Sequence, residues 1–391
     1  MKEKALVQKI TKPFRTNVQA TMALALAVVW GIFAMLTDGV FIATRNLSNL
    51  MVQTCAIGIL ASGMVLVVVS GNMDLSVGSL SGLIGAICVR LMVTYGCNTF
   101  VTIAAAIGVG LLVGMYQGYW VSYKGVPAYV VTLSGMLVWR GLCYAVTGGT
   151  TLGPTNPAFK FIGQGYLPSP EGMPVNVTAV LVGLACAVLM VWLRVDKRKT
   201  RLKYGFTVGS KRSELLICIA MCVGIAAATM IFASYRGIPF AVVILLAVIC
   251  VLHFITTKTV FGRHVYACGS NQEAAHLSGI NAKKINMMIY VIVGALCAIS
   301  SIVSTARLNS SAPTAGNMLE MDCIAAAIIG GASTTGGEGT VIGAIIGALF
   351  MASLDNGMSL LNLDVAYQYV IKGLVLMLAV YVDLSTRKKG K

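Results

Sequence analysis

Three histidines, thirteen acidic residues and eleven cysteines are the side chains that this 391-residue chain offers for acid–base, nucleophilic or metal chemistry. Their spacing assembles no catalytic set. His253, His264 and His276 form no H-E-x-x-H pair, and none accompanies a Ser or Cys nucleophile. The cysteines are scattered, mostly through apolar sequence, with no C-x-x-C, which suits small buried hydrophobes. The glycine-rich run at 330–339, GGASTTGGEG, is followed by no Lys-Ser or Lys-Thr. It therefore lacks the residues that cradle a nucleotide phosphate. No other nucleotide motif occurs, so any work done with ATP requires another chain.

Polar residues inside apolar sequence carry more information. Each costs free energy in hydrocarbon and needs a reason to be there. Asn72, Asp74 and Ser76 lie in SGNMDLSVGSLSGLIGA, residues 70–86. Glu320, Asp322 and Glu338 belong to a second interrupted stretch, and Arg140 and Asp355 stand in otherwise apolar segments. Two readings compete for these groups. They cap exposed N–H groups or pair with one another, or they touch a translocated solute. Asn72, Asp74, Ser76 and Asp322 are the candidates for the second role. No Asp, Glu and His series runs along one segment, which disfavours a proton relay. A third feature is the polar island GRHVYACGSNQEAAHLSGINAKKI, residues 262–285, set between apolar stretches.

The elements that position these residues follow from composition. The chain is 57% apolar and 11% charged, with a mean hydropathy of +0.85. A soluble domain carries roughly twice that charge. Stretches of about 18–22 apolar residues, enough to cross hydrocarbon about 30 Å thick, recur at 18–36, 50–70, 76–94, 100–122, 127–147, 176–194, 214–234, 239–256, 287–306, 322–333, 339–356 and 366–383. The expectation is an all-α polytopic membrane protein, one transmembrane domain over 1–391, with about twelve helices and a range of ten to twelve. Residues 322–333 are too short to cross alone. Broken helices are expected near 70–80 and 322–340, where Gly and small hydroxyl residues interrupt the apolar run. Irregular backbone at that depth requires cover from protein or a water path, and paired elements of this kind are a transporter feature.

Basic residues set the orientation. With the N-terminus in the cytoplasm, 22 of the 29 Lys and Arg residues fall in inside segments, and only Arg45, Lys160, Arg236 and Arg307 fall outside. Both termini are then cytoplasmic, and the first span follows the basic segment 1–17 without a cleavage site. The net charge of +16 reads as topology rather than nucleic-acid binding. Residues 194–213 form a basic cytoplasmic loop that meets anionic lipid head groups. Residues 148–175 form an external loop holding five of the nine prolines, which either contacts a partner or connects two spans. Residues 257–286 are cytoplasmic. Within them Asn271–Ser278 suits a short helix capped by Ser270 or Asn271, with Glu273 favouring its N-terminal end.

GSNQEAAHLSGINAKKI closely resembles the cytoplasmic coupling segment of the sugar permeases of bacterial ABC importers, in the ribose, xylose and galactose branch. The matching residues are Gly269, Asn271, Glu273, Ala274, Ala275, Leu277, Ser278, Gly279 and Ile280. The DLSVGS run, Asp74–Ser79, agrees with that family. So does a stretch carrying Ser310, Ser311, Ala312, Pro313, Ala315, Gly316, Glu320, Asp322, Ile324, Ala325 and Ala326. Chain length and MASLDNGMSLL, Met351–Leu361, look most like the xylose-type members.

The resemblance implies a fold similar to the type II importer permeases and a location in the bacterial inner membrane. It implies a homodimer, a separate ATPase chain that carries ATP and magnesium, and an extracytoplasmic sugar-binding protein. Gly269, Asn271, Glu273, Ala274, Ala275, Leu277, Ser278 and Gly279 would couple to the ATPase. No cofactor is expected on this chain. An ion-gradient carrier and a passive channel are the competing functions.

Overall fold

The computed structural model describes residues 18–170, 173, 175–206, 208 and 210–388. The expected N-terminal segment 1–17 lies outside them. The described residues form fifteen α-helices and no strand. These are α1 (Val18–Leu36), α2 (Thr44–Val69), α3 (Val77–Val93), α4 (Thr99–Ser122), α5 (Ala128–Thr147), α6 (Pro157–Gln164), α7 (Val177–Lys203), α8 (Lys211–Ala233), α9 (Phe240–Lys258), α10 (Val260–Ser270), α11 (Gln272–Leu277), α12 (Ala282–Leu308), α13 (Leu319–Ile329), α14 (Val341–Leu360) and α15 (Val365–Lys388).

Eight of these helices are long and apolar enough to cross a membrane: α2, α4, α5, α7, α8, α9, α12 and α14. Shorter apolar helices run over Met22–Leu36, Val77–Val93 and Val365–Tyr381. With the 11-residue α13, every expected span has a helix. The interruptions fall where the glycines and small polar residues stand. Residues 70–76 are unwound between α2 and α3, and 330–340 turn between α13 and α14.

Helix α2 is the hub. It is 89% buried over its most apolar stretch, against 6% for α7 and none for α8. Helices α12 and α14 pack against α2, and α13 lies against α14. The α7–α8 pair is a peripheral hairpin. Most of its surface is exposed apolar side chain, as a lipid-facing element requires. Residues 194–203, expected within a loop, continue α7 as helix. Arg, Lys and Leu favour that state, and the first helix breaker is Gly205.

Helix ends carry their own donors' partners. Asn98, Asn156, Asn176 and Thr340 each accept a backbone N–H from the first turn of the helix they precede. Each cap satisfies a donor that the first helical turn leaves without an intrahelical partner. At one end of the bundle, Leu152 pairs with Ser311 and Tyr166 with Pro239 in short antiparallel bridges. Gln164 Nε2 donates to the Arg307 carbonyl at 2.8 Å there. At the other end the close of α2, the 333–339 turn and α10 meet. This grouping matches the two sets of loops that alternating spans predict.

Close approach of α4 and α12 depends on small residues. Gly110 lies against Gly294, and Gly114 against the Tyr290 carbonyl. A Cβ at Gly114 would stand 2.9 Å from the Val291 Cα, whereas one at Gly108 meets nothing within 4 Å. Overpacking of this kind costs about 1–3 kcal/mol. Gly114→Leu is therefore expected to lower the melting temperature of the purified protein by several degrees, and Gly108→Leu to leave it unchanged. Thermal unfolding of both variants in detergent is the check.

Candidate functional site

The polar island folds as a self-contained module. Asn271 closes α10 and caps α11, its side chain accepting the Ala274 N–H at 2.9 Å. Of the two capping residues the sequence allowed, Asn271 takes the role. Glu273 stands in the first turn of α11, where a negative charge favours the helix dipole. At the other end Gly279 adopts φ 80°. Its N–H bonds the His276 carbonyl at 2.9 Å, and Ile280 N–H bonds the Ala275 carbonyl at 3.0 Å. This is the paired C-terminal stop that a left-handed glycine permits. Asn281 then caps α12 through the Lys284 N–H at 3.0 Å. Three successive terminators fix the angle at which α11 leaves the bundle.

The coupling candidates divide into two groups. Ala275 is 4% exposed and packs with Cys268, Ala282 and Ile280. Gly279 serves the turn, and Gly269 is half-buried against the rest of the chain. Asn271, Glu273, Ala274, Leu277 and Ser278 are exposed. Leu277 is 83% exposed, an apolar side chain held outside the bundle. It shares a helical face with Ala274 and Glu273. Beside that face lies a concavity of about 700 Å³ lined by Gln272, Glu273, His276, Ile280 and Lys283. The arrangement can seat a protein surface; it holds no catalytic set.

The first interrupted element is a buried hydrogen-bonded knot. Asp74 is 1% exposed and Ser76 is fully buried. Asp74 Oδ1 accepts the Ser76 N–H at 2.8 Å and the Ser76 hydroxyl at 2.7 Å. The Asp74 carboxylate thus closes a local turn before α3 rather than capping the helix itself. Ser76 Oγ in turn accepts from Gln117 Nε2 of α4 at 2.7 Å. Thr132 of α5 reaches the Met73 carbonyl at 3.4 Å. Asn72 is half-buried, and its amide donates to Ser70 Oγ at 3.0 Å. Gln117 went unnoticed in the sequence. The signal for it was a lone amide in an apolar helix.

The second element is tied by charge. Lys372 Nζ of α15 lies 2.9 Å from Asp322 Oδ2 and 2.8 Å from Asp355 Oδ1. Asp322 is therefore engaged by a cation from another helix, and the sequence alone did not pair them. Arg140 finds carbonyls instead of a carboxylate. Its Nη1 donates to Ala315 O at 2.7 Å and to Pro313 O at 3.2 Å. It fastens the segment before α13 to α5.

Removing one partner of a buried ion pair costs about 3–5 kcal/mol because the remaining charges lose their compensation. Lys372→Ala is expected to reduce the yield of folded protein sharply, and the double change with Asp322→Asn to recover part of it. Size-exclusion profiles of the two variants, expressed side by side, check this.

The family described as the permease component of branched-chain amino acid transport systems matches residues 46–380. The xylose transport system permease protein of Haemophilus influenzae is 43% identical over 369 residues, covering 94% of this chain and 96% of its own. The xylose transport system permease protein of Escherichia coli K12 is 40% identical, over 94% of this chain and 92% of its own. The ribose import permease protein of the same strain is 33% identical over 92% of each. No solved structure matches. With a family match across most of its length and relatives of this identity aligned nearly end to end, the chain belongs to the branched-chain amino acid transport system permease component family.

Proposed function

We infer that this chain is the membrane-spanning subunit of an ATP-driven importer of a monosaccharide, xylose or a related sugar. The observation that carries the reading is the α10–α11 module. It is built to a fixed angle by caps at both ends, and its outer face presents Glu273, Ala274 and the 83%-exposed Leu277. An apolar side chain held outside the bundle beside a concave surface suits docking to another protein. The names of the relatives, xylose and ribose permeases, supply the substrate class.

In this reading a separate ATPase chain receives α11 in a groove, and ATP with magnesium binds there. Closure of the ATPase pair displaces α11 and changes which side of the membrane the bundle opens to. A sugar-binding protein docks at the opposite end, where 152–164 and 307–311 are bridged. Two copies of the chain form the working unit, with both termini and α11 in the cytoplasm of a bacterial inner membrane. Sugar choice then lies mainly with the binding protein. Asp74 Oδ1 and Ser76 support this, since the hydrogen bonds they make run to each other and to Gln117 within the chain.

Reconstitution into vesicles tests the reading. Sugar is expected to accumulate against a gradient only when the ATPase chain, ATP and the binding protein are all present, and to do so with an uncoupler added. Accumulation by this chain alone, abolished by the uncoupler, would assign it to ion-gradient carriers instead.

Charge reversal at the docking face is a second check. Glu273→Lys is expected to weaken ATPase association by about tenfold or more, through loss of charge complementarity, while membrane insertion proceeds normally. Co-purification of the ATPase with the variant measures this, and wild-type recovery would remove Glu273 from the interface.

A further inference from the structure

Gly269 stands apart from the other coupling candidates, because its contacts run inward. A Cβ there would overlap the Val69 carbonyl at the end of α2, and would come within 2.9 Å of the Gly337 nitrogen. Gly337 N–H itself donates to the Val69 carbonyl at 2.8 Å. A Cβ on Gly336 would lie 2.7 Å from the Gly269 carbonyl, and one on Gly337 would lie 3.0 Å from the Ser270 Cα. Both Gly336 and Gly337 have positive φ, 86° and 79°, so that turn follows a path ordinary side chains resist. Tyr266 of α10 adds a bond from its hydroxyl to the Gly339 carbonyl at 2.7 Å.

Gly269 therefore meets the Val69 carbonyl, the Gly337 nitrogen and Gly336 backbone on backbone, while the Ser270 hydroxyl and the Tyr266 hydroxyl lie against the turn at Gly337 and Gly339. A side chain at such a junction absorbs movement by changing rotamer. Bare backbone in van der Waals contact has no such slack, and dense packing transmits displacement. The segments are also particular ones. Val69 leads directly into the unwound residues that hold Asp74 and Ser76. The 333–339 turn follows α13, which holds Asp322. Movement of α11 reaches α10 through Asn271, whose N–H bonds the Ala267 carbonyl at 3.1 Å and whose carbonyl accepts the Ala275 N–H at 3.0 Å.

We propose that Gly269 is a positioning residue for transport: the bare backbone it leaves between α10, the end of α2 and the 333–339 turn passes displacement of α11 to both interrupted membrane elements together. The proposal rests on the ATP-driven reading above. Gly269 acts through the joint and does not touch the ATPase.

The test uses the complete assembly in vesicles: permease, ATPase and binding protein, with radiolabelled xylose. Two quantities are read, ATPase retained per permease and sugar moved per ATP hydrolysed. Gly269→Ala is expected to retain the ATPase fully while sugar per ATP falls about tenfold or more, the scale of an energetic coupling between sites. Leu277→Glu is expected to do the reverse, losing the ATPase itself. Gly269→Ala with ATPase bound and the ratio within about twofold of wild type overturns the proposal, as does loss of the ATPase in its place. Tyr266→Phe removes one bond without adding bulk, and decides the matter where Gly269→Ala fails to fold. Its ratio is expected to fall about threefold or more, and a wild-type ratio overturns the proposal. A wild-type assembly that moves no sugar with ATP removes the underlying reading instead, and is recognised because every variant then behaves alike.

Discussion

Hydrocarbon offers no hydrogen-bond partner to a backbone amide, and this chain interrupts its helices twice within the bundle. Each interruption survives because protein supplies what water would. Asp74, Ser76 and Gln117 close the break before α3 on themselves. Arg140 takes up the Pro313 and Ala315 carbonyls ahead of α13. Lys372 compensates the carboxylates of Asp322 and Asp355. The arrangement of helices follows from these debts. Helices α4 and α5 must stand beside the first break, α2 and α10 beside the 333–339 turn, and α5, α14 and α15 beside the segment that leads into α13.

Satisfying polar groups by proximity requires backbones to come close, which is why glycine does so much of the packing. Between α4 and α12 the approach leaves room for no Cβ at Gly110, Gly114 or Gly294. The same economy appears at the end of α2, where Gly269 and Gly336 stand backbone against backbone with each other and with Val69. Small residues in membranes are often read as dimer seams. Here they are internal, and they bring backbone against backbone within one chain.

Much of the fold was legible in the sequence because hydrocarbon imposes length and apolarity on each crossing segment. The span boundaries, the two interruptions and the short helix after Ser270 all came from that pattern and from capping residues such as Asn271. The resemblance carried by Gly269–Ile280 and Asp74–Ser79 then pointed to the permease family, and the family match agrees. Less was legible at the individual side chain. Asp74 was open to reading as a cap or as a solute contact, and its Oδ1 takes the Ser76 N–H and hydroxyl just ahead of α3. Gln117 was overlooked and the pairing of Lys372 was not read, because a lone polar residue in an apolar helix announces a need and does not name its partner. The helical course of 194–203 was missed because a run of charges reads as loop, although Lys and Arg are good helix formers.

By itself, then, the sequence determined where the apolar segments run, where they break and which short stretch between them forms a capped helix, since period, length and capping are local properties of the chain. The pairing of Lys372 with Asp322, 50 residues away, was decided only in three dimensions. So was the meeting of Gly269 with Val69 and Gly337. These contacts depend on which helix faces lie together, and a uniformly apolar surface encodes that choice weakly. Close backbone packing and the few buried polar groups select it, and both act only once the bundle has formed.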